Sequence, residues 1–145
     1  MGQQQLLLLV LSTVIVGLAT VAGIQAFSEN QQQAAVDALN QQVLEYATEA
    51  QAAASKPTQL GGVSGLSNVN AKTLNIANST GSFENAQGKF EISTSGGASF
   101  DNSNVSCSGT VNIYGLDPTT GAQACAAVSN TDGTSGISVS TSIGS

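Results

Sequence analysis

Cys107 and Cys125 are the most reactive side chains in a chain of 145 residues that contains no histidine. The commonest general base and metal ligand is therefore missing. Two thiols without a further Cys or His complete no zinc motif. No nucleophile–base pair can be assembled either. Ser64, in Gly62-Val63-Ser64-Gly65, comes nearest to a nucleophile elbow but lacks its spacing and a base. The chemistry open to the cysteines is oxidation. Beside an apolar, export-like N-terminus, a disulfide would close a loop of about 19 residues and contribute about 3 kcal/mol by the chain-entropy model. Two free, buried thiols are the alternative. Asp101, Asp117 and Asp132 stand in loop-like sequence without EF-hand spacing, which suits Asx turns better than a Ca²⁺ site. Asn78-Ser79-Thr80 and Asn104-Val105-Ser106 are N-glycosylation acceptor sequences. Nothing here builds an active site, so we expect no enzyme and no bound metal or cofactor.

Composition narrows the classes further. Only 8% of residues are charged, Trp is absent, and Lys56, Lys72 and Lys89 are the only bases against nine acids, for a net charge of −6. A basic footprint for nucleic acid is absent. Length leaves room for one small domain, and much of the chain is spent elsewhere.

After Pro57 the composition turns to Gly, Ser, Thr and Asn with short apolar alternations. Strands are expected at 70–77, 89–93, 110–114, 123–128 and 136–143. Turn signals stand between them at Gly61-Gly62, Gly96-Gly97, Asp117-Pro118 and Asp132-Gly133. Strands this short predict a small antiparallel sheet, marginal alone, in which Cys107 and Cys125 would staple two of the last strands.

What the sheet packs against precedes it. Between residues 27 and 55 the chain is rich in Ala, Gln, Glu and Leu, all good helix formers. Val36, Leu39, Val43, Tyr46 or Ala47, and Ala50 recur at three- and four-residue steps and draw one apolar stripe. Asp37, Gln41, Glu45 and Glu49 mark the polar side. Pro57 ends the helix, and Lys56 suits the negative end of its dipole.

Upstream the chain changes character again. From Leu6 to Ile24 it reads LLLLVLSTVIVGLATVAGI, with fourteen of nineteen positions apolar and no charged residue before Glu29. As a helix this run is roughly 28 Å long, close to the ~30 Å hydrocarbon core of a bilayer. Only MGQQQ stands before it, whereas a secretory signal has a basic start and a shorter apolar region. A retained stem of this kind must be buried in lipid or in copies of itself. No proline interrupts residues 1–55, so one helix of roughly 80 Å is expected. Val14, Ile15 and Val16 beside Gly17, with Gly23 beyond, mark where it would bend or locally unwind.

An uncharged Leu/Val/Ile-rich first half-helix running into an amphipathic Ala-rich second half, a Pro/Gly break, a small β-rich head and a late cysteine pair resemble the type IV pilins and pseudopilins. The resemblance implies a leader removed by a dedicated peptidase, methylation of the new N-terminus, and polymerisation through the stems. Met1 would be the first mature residue, and cleavage after Gly2 would instead start the mature chain at Gln3. Family members usually carry Glu at mature position five, where it meets a neighbour's terminal amine. Here Gln5 stands there, and an amide can accept a hydrogen bond from an ammonium without neutralising it.

The expected fold is α+β: a long hydrophobic helix over 1–55, with 1–24 as membrane or filament core and 25–55 as its amphipathic part, packed on a β-rich head over 56–145. The expected function is a structural subunit of a type IV pilus-like extracellular filament, residing in the cytoplasmic membrane before assembly. Its partners would be other copies of itself, the pilus assembly machinery and the leader peptidase. Met1, Gln5, Leu6, Leu9, Val14, Gly17 and Ile24 are the candidate assembly residues. A pseudopilin of a secretion system and a single-span, membrane-anchored binding module are the rival readings.

Overall fold

The computed structural model describes residues 2–74, 81–94, 105–131 and 134–143. A single helix, α1, runs unbroken over Gly2–Ser55. Neither Gly17 nor Gly23 unwinds it; in the isolated chain both face open space, and no neighbouring element pulls the backbone out of its ladder. Two 3-10 turns follow, Thr58–Leu60 and Leu66–Asn68. Gly61 takes a left-handed φ of 82° to close the first, and its N–H bonds back to the Thr58 carbonyl.

The head is an antiparallel meander of β1 (Ser82–Asn85), β2 (Gly88–Ser93), β3 (Val111–Leu116), β4 (Gln123–Thr131) and β5 (Thr134–Ser142), in that spatial order. The fold is α+β. Four of the expected strands are present near their expected places. The strand expected at 70–77 is not formed in its described part, where residues 71–74 turn instead. The reason is local: the Thr73 N–H donates to Asn70 Oδ1, the Asn70 N–H donates to Thr73 Oγ1, and that hydroxyl donates to the Asn70 carbonyl. These bonds offer the backbone an alternative to a sheet ladder. Residues 75–77 lie outside the described residues, as do Gly96-Gly97 and Asp132-Gly133. In exchange there is an unforeseen strand, β1. Its turn is set by Asn85, whose Oδ1 accepts from the N–H groups of Gln87 and Gly88.

The α1 stripe Val36, Leu39, Val43, Ala47 and Ala50 is buried, as its spacing requires. It lies on one face of the sheet, against Phe90 and Ile92 of β2, Val111 and Ile113 of β3, and Ala124, Ala126 and Val128 of β4. Alanines on β4 let the helix come close. Gly115 does the same on β3, since a Cβ there would stand 2.9 Å from the Phe90 ring and 3.2 Å from Val43 Cγ1. Each buried Val, Leu, Ile or Phe contributes about 1.5–3 kcal/mol. Tyr46 meets Phe83 edge-on at 5.2 Å between ring centroids. Asn85 Nδ2 donates to Gln42 Oε1 at 2.7 Å, which ties the β1–β2 turn to the helix.

Cys107 and Cys125 are disulfide-bonded, with Cα atoms 6.1 Å apart. The bridge does not join two strands, as expected above. Cys107 precedes β3, so the bond fastens that incoming segment to β4 on the face away from α1, where Val105 and Tyr114 pack beside it.

Candidate assembly surface

Among the described residues the stem is the one large apolar surface the fold leaves uncovered. Every residue from 2 to 31 is exposed. Leu6, Leu9, Val14 and Ile24 retain 65%, 61%, 53% and 70% of their accessible surface, so almost nothing within the chain shields them. The helix is long and apolar enough to cross a membrane by length and composition. The hydroxyls within its apolar run are already served. Ser12 Oγ donates to the Leu9 carbonyl at 2.9 Å, Thr13 Oγ1 to that of Val10 at 2.8 Å, and Thr20 Oγ1 to that of Gly17 at 2.8 Å. Bonds of this kind let small hydroxyls sit in an apolar medium without unmet polar groups.

The candidate assembly residues do not converge on one patch. At about 100° per residue, Leu6, Gly17 and Ile24 fall on one side of the helix, with Leu9 and Val14 to either side of it. Gln5 is exposed in the first turns, and Met1 lies outside the described residues. A second stripe escaped the sequence reading. Leu7, Leu11, Val14, Leu18 and Val21 recur at alternating four- and three-residue steps, and all five are exposed. Leu7 and Val43, Leu11 and Ala47, and Val14 and Ala50 are each 36 residues apart, about ten turns at 3.6 residues per turn. Because α1 is continuous, this ridge lies on the helix face that the head covers further along. Its signal was the spacing, which a nearly all-apolar run disguises.

The head carries less chemistry. Asp117 makes an Asx turn: its Oδ1 accepts from the Thr119 N–H at 2.8 Å and its Oδ2 from the Thr120 hydroxyl at 2.7 Å. Partial burial alone would raise the Asp117 pKa, but these hydrogen bonds outweigh it and hold the carboxyl below its ordinary value. Among the described residues no cluster of three His, Cys, Asp or Glu side chains is placed to hold a metal ion. Ser64 lends only its carbonyl, to Asn68 Nδ2. Asp101, Asp132, Asn78 and Asn104 lie outside the described residues.

A long apolar N-terminal helix, half bare and half packed on a small disulfide-bonded antiparallel sheet, is a pilin-like architecture. No family model matches the chain, and no curated protein or solved structure does either.

Proposed function

We propose that the protein is a structural subunit of a type IV pilus-like extracellular filament. The supporting observation is the bare stem, rigidly continuous with a helix half that already carries a folded head. Large apolar side chains on the stem are each worth about 1.5–3 kcal/mol when buried, so an isolated chain in water is strongly disfavoured. Lipid satisfies the stem before assembly. Side-by-side copies satisfy it afterwards, with heads outward and a repeat that does not close. With Ser12, Thr13 and Thr20 bonded within their own helix, contacts between stems are dispersive, and Gly17 and Gly23 allow close approach. A leader peptidase and assembly machinery would deliver the chain from the cytoplasmic membrane to the cell surface. Gln5 would accept a hydrogen bond from a neighbour's terminal amine without neutralising it.

Electron microscopy of sheared cell-surface material, with mass spectrometry of the same fraction, tests this. Long, thin filaments made mainly of this chain are expected, and the N-terminal peptide would begin at Met1 or Gln3 and carry a methyl group. Short assemblies confined to the envelope would support a pseudopilin instead. A chain found only in the membrane fraction, with no filament, would support an anchored module.

A further inference from the structure

The two edges of the sheet are unlike. β1 is four residues long and carries Glu84, a short and charged edge of the kind that resists adding strands. β5 is nine residues long, TSGISVSTS, without a charge or a proline. Among the described residues no strand pairs with its outer side. Beside it runs a shallow groove lined by Asn40, Gln41 and Leu44 of α1 and Val139 and Thr141 of β5. Leu44 and Val139 stay 44% and 42% exposed there, which leaves the seam between helix and edge apolar and open. Asn40 Oδ1 is buried with no hydrogen-bond partner among the described residues.

We propose that β5 is a self-recognition edge: two copies pair their β5 strands antiparallel about Ser138, joining two five-stranded sheets into one. The strand's own sequence selects a second copy as the occupant. With Ser138 opposite its counterpart, Ile137 faces the partner copy's Val139 and Val139 its Ile137, so both apolar residues on the helix side meet apolar residues. Centring the pair on residue 137 or 139 leaves a single apolar match. Gly136 then faces Ser140, a pairing that costs no bulk. Although the chain carries a net charge of −6, β5 contributes none of it, so the edges meet without like-charge repulsion. The added strand also roofs the Leu44–Val139 groove.

The symmetry has a consequence for the filament. The two-fold axis of such a pair stands perpendicular to the sheet. Because α1 lies on the sheet face, the two stems point in opposite directions. Subunits within one filament have parallel stems, so this contact is not one between neighbours in a filament, and the pairing does not rest on the filament reading.

Single cysteines on the full-length chain in detergent test the register. Opposed residues in an antiparallel pair have Cα atoms about 4.5–5.5 Å apart, within disulfide reach. Two copies of residue 140 would instead be about 13 Å apart along the strands. Under mild oxidation Ser138→Cys should form a covalent dimer, Ser140→Cys alone should not, and Gly136→Cys mixed with Ser140→Cys should give the mixed dimer. Peptide mass would verify that Cys107 remains bonded to Cys125. Adding Val139→Lys to Ser138→Cys should lower the dimer yield at least tenfold, with the head's thermal transition as the folding control. Equal cross-linking at 138 and 140, or none at 138 in a folded head, would overturn the proposal. Dimers without filaments on cells would uphold the pairing and sink the filament. Filaments with no cross-link at 138 would do the reverse.

Discussion

The two halves of α1 share one backbone and one recurrence of apolar residues, yet they solve burial in opposite ways. Between 36 and 50, five apolar side chains at helical spacing are sealed beneath the sheet, and charged and polar residues fill the other side. Between 2 and 31 the apolar residues run around the whole circumference, and no described residue covers them. A stripe can be satisfied by one sheet face. A helix apolar on all sides needs surroundings on all sides, and one small head cannot supply them. The second half is therefore internal structure, and the first half is an apolar surface that no described residue covers.

Substitutions on the bare half and beneath the covered half separate these roles. Leu11→Lys has the largest expected effect, complete loss of filaments with an unchanged thermal transition of the head, read by microscopy and by circular dichroism of the detergent-solubilised chain. Its counterpart, on the sheet beneath the covered half, is Phe90→Ala in β2, which should destabilise the head by about 3–5 kcal/mol in denaturant unfolding, because the ring fills the space between Val43, Tyr46 and Gly115. Replacing both cysteines by serine should cost the head about 3 kcal/mol and leave stem-driven association untouched, since the bridge lies on the face away from α1. The smallest effect is that of Asp117. Its carboxyl titrates lower folded than unfolded, so its contribution is complete above the unfolded value near 3.8 and is lost as pH falls through the folded one. Asp117→Asn should therefore cost the head a small amount of stability at neutral pH, a loss that disappears as pH falls through the folded value, so the acid limb of head stability flattens.

Legibility in the sequence followed the same division. The Val36–Ala50 stripe was readable because polar residues frame it, and the helix end because Pro57 and Lys56 mark it. Strands β2 to β5 carried short apolar alternations between turn signals. β1 escaped because four residues with one Phe make no pattern, and its turn depends on the Asn85 carboxamide rather than on a Gly pair. The segment from 70 failed in the other direction, since Asn70 and Thr73 satisfy one another and take the backbone out of strand geometry. The disulfide partners were legible because only two cysteines exist, but not which segments they join. Least legible was the Leu7–Val21 ridge, hidden by apolar neighbours until α1 proved to be one uninterrupted helix.

A reconstruction of the sheared surface filaments at side-chain resolution bears most directly on the central claim. It should show the stems of many copies gathered along the filament axis, with Leu7, Leu11, Val14, Leu18 and Val21 buried between helices and the sheets outside. Stems sheathed in lipid or detergent around a discrete, closed oligomer would contradict it.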